Sequence, residues 1–166
     1  MDRRTWLFGS LGLLGGPPTA EAQQPTNIPR IGFLTAVPLS VMSARTEAFL
    51  QGLRDLGYVE GKTILIDWRS AEGQLDRLPS LAAELVRPTV DVIVTAGPSA
   101  TSPAKKATVT IPIVITNDND PVANGFVASL ARPGGNITGL STLSTETYGK
   151  QLELLKEIVP RLSRVA

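Results

Sequence analysis

Three polar stretches of this chain carry residue types that bind or transform small molecules. Gly97-Pro98-Ser99 joins a β-branched run to a helix-length segment. Its glycine permits close backbone approach, and amide N–H groups at the start of the following helix favour an anionic group such as a carboxylate. Strand-to-helix turns use the same residues for geometry alone, so both readings stand. Asn117-Asp118-Asn119-Asp120-Pro121 offers oxygen ligands for a hard cation. The calcium-loop spacing also needs a downstream glutamate, and none follows at the right distance. A polar binding loop and a plain turn are left, and no metal site is expected. Gly61-Lys62-Thr63 ends like a phosphate loop, but position 56 is Leu and the triplet precedes a strand instead of opening a helix. No dinucleotide-type Gly-x-Gly-x-x-Gly occurs after residue 22. Ser99 and Ser102 lack an activating imidazole, because the chain contains no histidine. The residues therefore point to a site without pointing to a reaction, and no cofactor is expected.

The elements that must position these stretches follow from periodicity. Val90-Asp91-Val92-Ile93-Val94-Thr95 and Ile113-Val114-Ile115-Thr116 are short β-branched runs joined by a helix-length connector, the pattern of a βαβ unit. Runs apolar on both faces belong in the middle of a covered parallel sheet. Ligands of such sheets bind at the carboxyl ends of the strands, where Gly97–Thr101 and Asn117–Asp120 fall. Upstream, Arg30–Thr35 reads as a first strand. Ser43 is a candidate cap for a helix striped by Phe49, Leu50, Leu53 and Leu56 and ended by Gly57. Ile64–Trp68 is a second strand. Asp76 opens the next helix, with Pro79 in its first turn, Leu78, Leu81, Ala82 and Leu85 on the sheet side, and Pro88 as its end. Downstream come a short helix over Gly125–Leu130 and a last strand at Asn136–Gly139. Tyr58 and Trp68 are assigned to packing. The sum is an α/β doubly wound parallel sheet of order 2-1-3-4-5. Past it, Ser144 opens a helix with Tyr148, Leu152, Leu155 and Val159 on one face. Pro160 ends that helix, and Arg164-Val165-Ala166 begins like another strand.

Composition excludes several classes. The chain has 166 residues with 16 basic and 15 acidic side chains spread along it, so no basic stripe for nucleic acid exists. Apolar content of 42% suits a packed core. Cysteine is absent, which removes disulfides and thiolate chemistry. Met1-Asp2-Arg3-Arg4, the apolar Trp6–Leu14, a Gly/Pro break and Ala20-Glu21-Ala22 form the parts of a secretory signal peptide over residues 1–22. The apolar core is about half a bilayer span, which argues against a retained anchor. Arg3-Arg4 also fits a twin-arginine signal. Because that leader is bacterial in type, the glycosylation match Asn136-Ile137-Thr138 is set aside.

Longer segments carry a family resemblance. Arg30-Ile31-Gly32-Phe33-Leu34, Gln51–Gly61, Leu75-Asp76-Arg77-Leu78-Pro79, Asp120-Pro121-Val122 and Ser129–Ser141 resemble the ABC-transporter substrate-binding proteins of the tryptophan/tyrosine-transport-like group. The resemblance implies a type I periplasmic-binding-protein fold, with residues 28–140 as the N-terminal ligand-binding lobe. Residues 141–166 would be a crossover helix and the start of a truncated second lobe that is missing. It implies a periplasmic solute-binding component of an importer, without catalysis. Its ligand would be a small molecule (an amino acid is one candidate) and its partners an ABC permease and ATPase. Ligand loops would be Thr35 and Ala36, then Gly97, Pro98 and Ser99, then Asn117, Asp118 and Asp120. The chain departs from the family pattern at Pro98-Ser99, where Thr-Pro is usual, and at Asn119, where glycine is usual. A lone lobe is expected not to clamp a ligand. The alternatives are a small flavodoxin-like or nucleotide-using α/β enzyme domain, a sensory domain, and an inactive truncated fragment.

Overall fold

The structure, a computed structural model, describes residues 28–87, 90–142 and 144–159. The leader over residues 1–22, Pro88, Pro160 and the strand-like Arg164–Ala166 lie outside the described residues. Strands β1 (Arg30–Thr35), β2 (Leu65–Ser70), β3 (Val92–Ala96), β4 (Ile113–Asp118) and β5 (Ile137–Ser141) form one sheet in the order β2-β1-β3-β4-β5. Every pairing is parallel. Helices α1 (Ser43–Asp55), α2 (Leu78–Val86), α3 (Pro98–Ala107) and α4 (Ser144–Ile158) alternate with the strands or follow them. The expected doubly wound sheet is thus present, in the expected order.

Strand alternation sends side chains to two cores. Leu34 of β1, Ile93 of β3, and Ile113 and Ile115 of β4 meet Leu78, Leu81, Ala82 and Leu85 of α2 and Ala100 and Ala104 of α3. On the other face Ile31, Phe33 and Val94 meet Met42, Phe49, Leu53 and Trp68. Phe33 packs on Trp68 at 4.7 Å between ring centroids and on Phe49 at 5.6 Å. Trp68 packs as expected, while Tyr58 is exposed. Neighbours crowd the missing side chain most at Gly32 and Gly139. A Cβ on Gly32 would stand 3.0 Å from Leu85 Cδ2, so the missing side chain forms a socket for Leu85. A Cβ on Gly139, at φ +149°, would fall 2.2 Å from the Ile115 carbonyl oxygen, a contact no L side chain can make.

Three local expectations are corrected. Ser43 caps nothing: a 3-10 turn over Leu39–Met42 runs straight into α1, Met42 holds the cap position, and no side chain bonds there. Leu56 is exposed, because α1 ends before it at Asp55 and the chain turns at Gly57 (φ +87°), with the Tyr58 amide returning to the Leu53 carbonyl at 2.8 Å. No helix forms over Gly125–Leu130. The Phe126 amide bonds the Pro121 carbonyl at 2.8 Å, and Gly125 at φ +68° ends a single turn instead of starting a helix. Beyond it Ser129 Oγ accepts from the Arg132 amide at 3.0 Å, fixing an irregular loop.

Candidate functional site

At the carboxyl rim, short polar side chains are committed to backbone and so fix the loops. Thr35, fully buried, accepts from the Val37 amide at 3.2 Å and donates to the Val37 carbonyl at 3.3 Å. Its neighbour Ala36 is half-buried. Thr101 Oγ1 donates to the Gly97 carbonyl at 2.9 Å and lies 2.8 Å from Thr95 Oγ1, bracing the start of α3 against β3. Gly97, at φ +82°, is the residue from which α3 springs, and no side chain caps the helix there. Pro98 has no N–H, and the amides of Ala100 and Thr101 both turn back to the Gly97 carbonyl, at 3.3 and 3.1 Å. The Ser99 N–H is the remaining donor of that first turn. The Ser99 side chain lines an open groove of about 470 Å³ between α2 and α3, beside Leu78, Pro79 and Ser102.

The loop after β4 separates its polar residues by task. Asn117 is exposed, whereas Asp118 is only 1% exposed. Asp118 Oδ1 accepts from the Asp120 amide at 2.8 Å and from Asn124 Nδ2 at 2.9 Å, and its Oδ2 is buried with no hydrogen-bond partner among the described residues. Asp120 Oδ1 accepts from the Ala123 amide at 2.8 Å. These carboxylates hold their own loop in shape, in the manner of turn aspartates. Among the described residues no group of three or more His, Cys, Asp or Glu is gathered to hold a metal ion. Across β5, the Thr142 amide bonds the Asp118 carbonyl at 2.9 Å and Thr142 Oγ1 bonds Asn119 Oδ1 at 2.9 Å.

One rim residue escaped the sequence reading. Glu72, in the turn after β2, has φ +53° and is the only described non-glycine residue with a positive φ. For a residue with a Cβ that backbone costs about 1 kcal/mol. Gly73 beside it signals a turn, but nothing in the pair Glu-Gly says that the residue before the glycine is left-handed too. The rim as a whole is open. Thr35, Gly97 and Asn117 line neither the α2–α3 groove nor a second hollow, of about 230 Å³, beside β5 at Ile115, Pro121, Leu130 and Leu140. A rim of this kind offers one wall, with backbone donors at α3 and acceptors on the loops.

The model of the family described as "ABC transporter substrate binding protein" matches residues 30–166. The chain belongs to that family. A curated member, the "Tyrosine-binding protein" of Clostridioides difficile (strain R20291), is 34% identical over 135 residues, which is 81% of this chain and 39% of that protein. Among solved structures, a conserved domain protein from Vibrio cholerae superposes with a TM-score of 0.70 at 32% identity, over 81% of this chain and 45% of its own. A ligand-free, open substrate binding protein with adhesive properties from Clostridium difficile gives 0.66 at 31%, with the same coverages of 81% and 45%. An ABC domain from Streptococcus pneumonia, solved in complex with L-Trp, gives 0.65 at 27%, over 69% of this chain and 39% of its own. The chain therefore spans less than half the length of the family members it matches.

Proposed function

We propose that this chain forms one lobe of the solute-binding component of an ABC importer, and that its carboxyl rim is one wall of the cleft that takes the solute. The ligand class is an amino acid with an aromatic side chain. The observation that carries the reading is the rim itself. Loops after β1, β3 and β4 are pre-shaped by Thr35, Thr101 and Asp118, so the Ser99 amide at the start of α3 and the side-chain NH₂ of the exposed Asn117, whose Oδ1 accepts from Thr116 Oγ1, remain for a ligand. Relatives named for tyrosine binding or solved with L-Trp support the amino-acid class. The component acts without catalysis, delivers its solute to a permease driven by an ATPase, and reaches the periplasm through the leader over residues 1–22. No described helix is long and apolar enough to cross a membrane.

One wall binds weakly, since half of the contact area leaves the entropy of capture poorly offset. Titrating the ¹⁵N-labelled chain with L-phenylalanine, L-tyrosine or L-tryptophan should shift the amides of Ala36, Gly97, Ser99 and Asn117, with an apparent Kd on the order of millimolar. Shifts confined to the α2–α3 groove, or none at saturating ligand, would overturn the assignment. Micromolar affinity by calorimetry would refute the single-wall account while keeping the ligand class.

A further inference from the structure

We propose that Glu72 is the anchor for the ligand's ammonium group. This rests on the reading of the rim as an amino-acid site and adds to it a residue on a different strand. Ala71-Glu72-Gly73-Gln74 is a β-turn closed by the Gln74 amide on the Ala71 carbonyl at 2.9 Å, with φ +53° at Glu72 and +81° at Gly73. Two positive φ values in sequence define a turn populated by Gly, Asn and Asp, whose side chains tolerate it. The chain has glycine at the second position and glutamate at the first, where glycine would be free of strain.

The surrounding bonds hold Glu72 in this state. The Ala71 amide bonds the Thr35 carbonyl at 2.9 Å, and the Gly73 amide bonds the Ala36 carbonyl at 2.8 Å. Ser70 Oγ donates to the Val37 carbonyl at 2.9 Å and accepts from the Glu72 amide at 3.1 Å. The bonds to residues 71–73 all use backbone amides, and the Ser70–Val37 bond lies outside them, so none requires a carboxylate at 72. The Glu72 side chain is exposed and makes no hydrogen bond or ion pair with the described residues. Strained residues kept in place by their surroundings cluster at ligand sites.

Its position supplies the chemistry. The strand order places β1 between β2 and β3, so the turn at Glu72 and the start of α3 are two strand spacings apart along the rim, roughly 10 Å. An acceptor-only carboxylate stands at one end and helix-start donors at the other. An amino-acid zwitterion carries the complementary pair: its carboxylate goes to Gly97–Ser99 and its ammonium to the exposed Glu72.

The test titrates the purified chain by NMR with L-phenylalanine, phenethylamine (which lacks the carboxylate) and 3-phenylpropionate (which lacks the ammonium), in wild type, Glu72→Gln, Glu72→Asp and Glu72→Gly. Removing the charge should weaken phenylalanine about tenfold and abolish the phenethylamine response, while 3-phenylpropionate changes by less than about twofold. Glu72→Asp should fall between wild type and Glu72→Gln. Glu72→Gly should melt at or above the wild-type midpoint, because it relieves the backbone, and still lose phenethylamine; that combination excludes misfolding as the cause. If phenylalanine binds all variants as it binds wild type, Glu72 is a turn residue only and the amino-acid reading survives. If no probe shifts the rim of the wild-type chain, both fall together.

Discussion

Helices α2 and α3 bury Leu78, Leu81, Ala82, Leu85, Ala100, Thr101 and Ala104 against one face of the sheet, whereas α1 on the opposite face has no fully buried residue. There Phe49, Leu50 and Leu53 are half-buried, and the sheet supplies the large rings, Phe33 and Trp68. Beyond β5, α4 leaves Tyr148, Leu152 and Ile158 largely exposed. An apolar stripe is thus a necessary condition for burial and not a measure of it. The α2 stripe is flanked by alanines that let the helix settle onto strands, while α1 interleaves arginine, glutamate and glutamine among its apolar positions. Stability should therefore concentrate on the α2–α3 side, and local opening on the α1 side.

The largest break in this contrast should come from Leu85→Ala, which empties the socket at Gly32 and should cost about 3–4 kcal/mol in urea unfolding. Thr101→Val should cost about 2 kcal/mol, because the buried Thr95 hydroxyl loses the oxygen 2.8 Å away. Phe49→Ala, despite deleting a whole ring, should cost about 1 kcal/mol, since the ring is only partly covered and can be replaced by water. An order with Phe49→Ala above Thr101→Val would show the α1 face to be as tightly held as the other. The smallest effect is expected for Leu152→Lys on α4, below about 0.5 kcal/mol, as for an exposed position. Hydrogen exchange sharpens the same point: amides of α1 should exchange faster than those of α2, and equal protection would contradict the unequal cover.

Much of the sheet was legible because β-branched runs apolar on both faces have only one place to go. Leu78, Leu81, Ala82 and Leu85 are buried as their spacing requires. Legibility failed where backbone competes with itself. Gly125 can start or stop a turn, and the Pro121 carbonyl decided for stopping. Ser43 is a good cap residue, but a preceding 3-10 turn removed the need for one. At the rim, the identities of Asp118 and Asp120 announced polarity without saying that both would bond their own loop. Glu72 was hidden for a different reason. Glutamate has no preference for left-handed backbone, so no rule of residue type could have placed it there.

The interlock of Leu85 with the gap at Gly32 has a mechanical corollary. A helix seated in such a notch resists being dragged along the strands, and with α3 braced by the Thr95–Thr101 contact the sheet and its dry side form a stiff plate. A plate can swing but cannot flex usefully. On the proposed reading of the rim, any rearrangement on solute capture falls to segments outside the plate, and the rim loops travel with it as fixtures.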